Sequence, residues 1–111
     1  MISQKMEELE FAVNDSLRDI NADFVFALNA SDKKSLILGW IYRLESIEQR
    51  LRNKQYKDVP VDLEKLSEDI NIFVGYNLDN KVKEKLFDVS TLCIYLSRSV
   101  IPELIKLREE N

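Results

Sequence analysis

Asp19-Ile20-Asn21-Ala22-Asp23 places three oxygen-bearing side chains at alternate positions, the spacing with which a calcium loop opens. The pattern fails where the ion would need it most. Phe24 stands at the sixth position, where the sharp turn needs glycine, and Ala30 at the twelfth, where a bidentate glutamate belongs. A second pattern is made of carboxylates alone. Glu45 and Glu48 form an E-x-x-E pair, and Glu64, Glu68, Glu84 and Asp88 are further acids that a helical bundle brings near one another. All-α nucleotide pyrophosphohydrolases and di-iron bundles hold metals with such sets. Di-iron bundles also use histidine, and this sequence contains none. Of these acids only Glu48 points towards an apolar stripe, flanked by Ile41, Leu44 and Leu51. One inward carboxylate near a helix end more often snorkels or meets a lysine than binds metal.

The absence of histidine also removes the commonest general base at neutral pH, and with it serine triads, cysteine–histidine pairs and the usual zinc sites. Gly39 and Gly75 stand singly inside helical patterns, so there is no glycine-rich phosphate loop. Cys93 is the one cysteine and lies on an apolar stripe, the place of a small buried residue in a reducing compartment. The expectation is a protein with no catalytic residues, no cofactor and no metal.

The elements that position these residues are helices. In 111 residues there is room for one domain and one core, and only two glycines and two prolines leave few turns for a β-sandwich or barrel. The pattern predicts an all-α fold, a small up-down bundle of about four helices spanning 1–111. Met6, Leu9, Val13, Leu17, Ile20, Phe24 and Ala27 recur at spacings of three and four and form the inner face of the first helix, which Ser3 is placed to cap. Asn14, Asp15, Asp19, Asn21 and Asp23 are weak helix formers, so a break near Asn21 is an expectation to test. The second helix starts at Ser31-Asp32 with Ile37, Ile41, Leu44, Ile47 and Leu51 on one face, and ends before Val59-Pro60. Pro60 or Asp62 opens the third, which Gly75 or Asn77 stops. Asp79 or Asn80 caps the fourth, which runs to Glu109 and must kink or restart at Pro102.

Charge alternates along this order. Residues 1–30 carry a net −4, residues 31–57 carry +4, residues 58–80 carry −5 and residues 81–111 carry +1. In an up-down bundle each helix then lies beside neighbours of complementary sign, which favours that topology over misregistered ones. Two strips exceed this structural need. Asp15, Asp19 and Asp23 repeat every four residues, where like charges cost about 0.2–0.5 kcal/mol per pair. Arg43, Arg50, Lys54 and Lys57, with Arg52 beside them, form a basic strip, but a pI of about 4.9 argues against nucleic acid as the partner.

The last helix carries more apolar surface than one face holds. Val82, Leu86, Val89, Cys93, Leu96, Val100 and Leu104 form a core stripe, while Phe87, Ile94 and Ile101 repeat every seven residues and Ile105 follows. The second stripe lies about 140° around the helix from the first. Either this helix is central, or Pro102 rephases its end so that Ile101 and Ile105 rejoin the core, or the stripe is an interface. Phe11, Phe26, Leu38 and Tyr42 also fall off the core faces, and Tyr42, Tyr56, Tyr76 and Tyr95 are placed where the rim of an interface uses tyrosine.

These features point to a non-catalytic protein-binding module. In its most concrete form it is a small acidic inhibitor or immunity-type protein that neutralises a basic toxin or nuclease, with Asp15, Asp19, Asp23 and Tyr42 as contacts. The alternative is a homodimer assembled through Phe87, Ile94, Ile101 and Ile105, and a carboxylate-metal hydrolase is the remote third. The longest apolar stretch, Leu92–Ile101, is too short to span a bilayer and contains Arg98. The first ten residues, with Glu7, Glu8 and Glu10, lack the layout of a signal peptide. A cytoplasmic protein with no membrane contact is the expectation.

Overall fold

The structure is a computed structural model and describes residues 2–75 and 79–110. Five helical segments follow one another: α1 (Ile2–Ala30), α2 (Lys34–Arg52), α3 (Val59–Val74), α4 (Asn80–Tyr95) and α5 (Ile101–Glu110). A wide π-turn, Leu96–Val100, joins α4 to α5, so the two make one long rod. Each of α1, α2, α3 and α4 touches its neighbours in chain order, and α4 closes the ring against α1. Among the described residues the diagonals α1–α3 and α2–α4 make no close backbone approach. This is the all-α, up-down four-helix bundle that the apolar periodicity predicts, with overall dimensions of 47 × 20 × 20 Å. Among the described residues no helix is long and apolar enough to cross a membrane.

Local chemistry explains most boundaries. Asp79 caps α4, its side chain accepting from the Lys81 backbone N–H at 2.9 Å. Pro60 sits in the first turn of α3, where its missing N–H costs nothing, and Gly75 closes the same helix. Asn77 lies outside the described residues. Ser31 does not cap α2 directly. Its hydroxyl accepts from the Lys33 N–H and holds a tight turn, and Lys33 is the residue that precedes the helix. Ser3 lies inside α1 and caps nothing.

α2 ends with Lys54 in the left-handed conformation, at φ 60°. Gln55 N–H bonds to the Arg50 carbonyl at 2.8 Å and Lys54 N–H to that of Leu51 at 3.1 Å, a Schellman ending built without glycine. A side chain in that region costs about 1–2 kcal/mol.

Two expectations about the long helices are corrected. α1 does not break near Asn21. The Asn21 side chain donates to the Leu17 carbonyl one turn back at 2.9 Å, and Ile20 and Phe24 on either side are wholly buried, so packing outweighs weak propensity. The second stripe of the last helix is not one surface. Phe87 is exposed and Ile94 half-buried, but Ile101 is 0% exposed and Ile105 packs against the core. The π-turn is the physical reason. One extra residue in a turn sets everything after it back by about 100°, which carries Ile101 from the stripe of Phe87 and Ile94 onto the stripe of Leu86 and Cys93. Pro102 follows directly, and the wide turn relieves the clash its ring would make with the carbonyl four residues earlier. The last helix is therefore rephased, and it occupies a corner of the ring like the other three.

The seams of the ring are unequal. α3 and α4 approach most closely. Small residues allow it: the Ser67 and Ser90 hydroxyls share a buried 2.6 Å hydrogen bond, and Ser97 donates to the Pro60 carbonyl at 2.8 Å. α2 stands further off, held through larger side chains such as Trp40, whose ring meets Phe73 edge-on at 5.2 Å.

Candidate functional site

Part of the alternating charge is used in ion pairs between helices. Arg43 pairs with Asp69 and Arg50 with Asp62, each at 2.7 Å, which ties α2 to α3. Arg98 pairs with Glu64 at 2.7 Å between the π-turn and α3. Lys54 Nζ reaches Glu10 of α1 at 2.8 Å. Three of the four residues in the basic strip are thus engaged within the fold, which leaves Lys57 and the neighbouring Arg52.

The acidic strip of α1 is arranged differently. Asp15 pairs locally with Arg18 on the exposed face. Asp19 and Asp23 line the α1–α4 seam, where Asp88 of α4 joins them along a shallow groove of about 430 Å³ floored by Ala22 and Leu92. Among the described residues Lys85 is the one cation within 4 Å of any of the three carboxylates: its Nζ lies 3.7 Å from Asp23 Oδ1 and 5.7 Å from the centre of the Phe26 ring. Burial pushes the Asp23 carboxyl above its ordinary value. Lys85 opposes the shift, and the nearby charges of Asp88 and Asp19 reinforce it. One turn beyond Ala22 on α1 stands Phe26, 39% exposed, and one turn beyond Thr91 on α4 stands Tyr95, 44% exposed, whereas Phe11, 70% exposed, does not line the groove. The site that results is a cation-poor acidic seam flanked by aromatic rings.

The remaining predicted residues separate. Tyr42 is exposed on α2 but does not line this groove. Tyr56 is buried, with the Arg108 guanidinium 5.6 Å above its ring, so it is a core residue and not an interfacial one. Tyr76 lies outside the described residues. Phe87 and Ile94 remain on the outer side of α4, but the withdrawal of Ile101 and most of Ile105 leaves the proposed dimer surface with half of its residues. Among the described residues no three acids or cysteines are grouped so as to hold a metal ion. Glu48, the inward carboxylate, sits half-buried in the α1–α2 seam and accepts from Asn21 Nδ2 at 3.4 Å. Asp88 is the site residue that periodicity does not associate with α1, because only the pairing of α4 with α1 brings it beside Asp19.

This chain matches no protein-family model, no curated protein and no solved structure.

Proposed function

We propose that the protein is a non-catalytic binding module whose α1–α4 face takes a basic protein surface. In concrete terms it is an inhibitor or immunity-type protein that covers a cationic toxin or nuclease. The observation that carries this reading is the convergence of Asp19, Asp23 and Asp88 from two helices with Lys85, among the described residues, as the one cation within 4 Å of any of them. Holding like charges together in this way costs the free protein stability, and a cationic partner removes that cost. The flanking Phe26 and Tyr95 supply the aromatic contact area on which interfaces rely. Charge complementarity of this kind acts mainly on the rate of encounter.

The test is kinetic. A partner captured from the native host is mixed with the wild-type chain and with an Asp19→Lys, Asp88→Lys variant in stopped flow over a range of salt. The wild type associates more slowly as salt rises. The variant associates about tenfold more slowly at low salt and loses most of the salt dependence. Equal rates and equal salt slopes would remove this face from the interface.

A further inference from the structure

We infer that the cleft between α1 and α2 is a binding site for a free α-amino acid with an apolar side chain. The cleft lies on the other edge of α1 from the acidic seam and encloses about 450 Å³, within the range of small-ligand pockets of about 300–1,000 Å³. Val13, Leu17, Leu51 and Leu104 form its apolar floor, each nearly closed to solvent. The charges around it divide into two kinds. Lys54 is answered by Glu10 and Arg18 by Asp15, so both pairs are neutral within the fold. Glu48 and Arg52 make no ion pair within 4 Å, although the Arg52 charge acts on Glu48 from one turn away. Among the described residues no cation lies within 4 Å of the Glu48 carboxylate, whose one side-chain contact is the long 3.4 Å bond from Asn21. Arg52 likewise pairs with no carboxylate among them.

Glu48 and Arg52 stand one turn apart on α2, with Cβ atoms about 5–6 Å from each other. A carboxylate and a guanidinium at that spacing, above an apolar floor, match a molecule carrying an ammonium, a carboxylate and a hydrocarbon side chain. The ammonium meets Glu48 and the Asn21 side-chain oxygen, the carboxylate meets Arg52, and the side chain lies on the leucines. A simple amine is a poorer occupant because Arg52 repels it, and a simple acid is poorer because Glu48 does. Burial holds the Glu48 carboxyl above its ordinary value, against the opposing effects of the Asn21 bond and the Arg52 charge.

The experiment is a titration of the isotope-labelled full chain with L-leucine, followed in amide correlation spectra. Saturable shifts are expected at Leu17, Asn21, Glu48 and Leu51. Isopentylamine and 4-methylpentanoate, which each lack one charge, bind about tenfold more weakly or worse. Glu48→Gln and Arg52→Gln each weaken leucine by about tenfold, while Glu68→Gln on the far side of the bundle does not. Glutamine keeps the size of the side chain at both sites, and amide spectra that are unchanged away from the cleft confirm that the variants are folded. Shifts that never saturate, an amine or acid that binds as well as leucine, or full binding by Glu48→Gln would each overturn the assignment.

Discussion

The α3–α4 seam and the α1–α2 seam are built from the same four-helix plan and end in opposite states. Between α3 and α4 the contact residues are short, so the backbones close in and the polar atoms satisfy each other, as Ser67 and Ser90 do. Between α1 and α2 the contact residues are long and charged. Glu48, Arg52, Arg18 and Lys54 hold the helices apart and leave a cleft over the core. The difference teaches where this bundle stores stability and where it keeps surface available. A hydroxyl pair that needs no third partner seals a seam, whereas a carboxylate and a guanidinium that do not meet leave one open.

The largest contrast concerns reactivity. Cys93 lies on the closed side, and burial pushes its thiol from its ordinary 9.0 up to about 12. At a given pH its thiolate is then about a thousandfold scarcer than in the unfolded chain. Labelling by a thiol reagent near pH 8 is expected to proceed only through unfolding, so its rate follows stability across a denaturant series. A thiol introduced in the open cleft by Asn14→Cys reacts at the rate of a free thiol. Rapid labelling of Cys93 without denaturant would show that the closed side opens.

Next in size are truncations. Leu86, wholly buried one turn before Ser90, loses about 3–5 kcal/mol on Leu86→Ala, because the cavity is sealed. Leu51→Ala at the cleft floor costs about 2 kcal/mol, since water enters the space vacated. Urea unfolding of both variants measures the gap, and equal losses would mean that the two seams are packed alike.

Smaller again is the effect of added bulk. Ser90→Leu forces the close helices apart and strips Ser67 of its partner, at about 1–3 kcal/mol. Asn21→Leu in the open seam costs less, about 0.5–1 kcal/mol, because the cleft has room for the side chain and the bond it removes from Glu48 is long. The same unfolding measurement orders the two.

The smallest effect is a dependence on pH. Glu48 is held above 4.5 and Asp23 above 3.8, in both cases first by burial. An acid whose pKa is higher folded than unfolded binds its proton more tightly in the native state, so its contribution to stability falls as pH rises through that window. Acidification from neutrality toward about pH 5 therefore favours the fold through these two groups. Glu48→Gln is expected to raise the melting temperature relative to wild type more at about pH 7 than at about pH 5. A difference that is the same at both values, or of opposite sign, would place Glu48 in a better-solvated position than the cleft gives it.

The sequence by itself determined the apolar stripes of four helices, the up-down order they imply, a cap at Asp79 or Asn80, the burial of Cys93 and the exposure of Phe11 and Tyr42. These follow from period, propensity and capping, which act within one helix and are written in consecutive residues. The charge alternation was legible too, although the partners it selects, such as Arg43 with Asp69, belong to the packing. Three things were decided only by the tertiary structure. Asn21 stays helical because Ile20 and Phe24 are locked in the core on either side of it. Ile101 is buried because a single extra residue in the turn before Pro102 rotates the rest of the helix, a change of phase that a fixed 3.6-residue period does not contain. Asp88 joins Asp19 and Asp23 because α4 closes the ring against α1. Such a juxtaposition depends on the rotation and spacing of two helices about 70 residues apart in the chain, and local pattern carries no record of either.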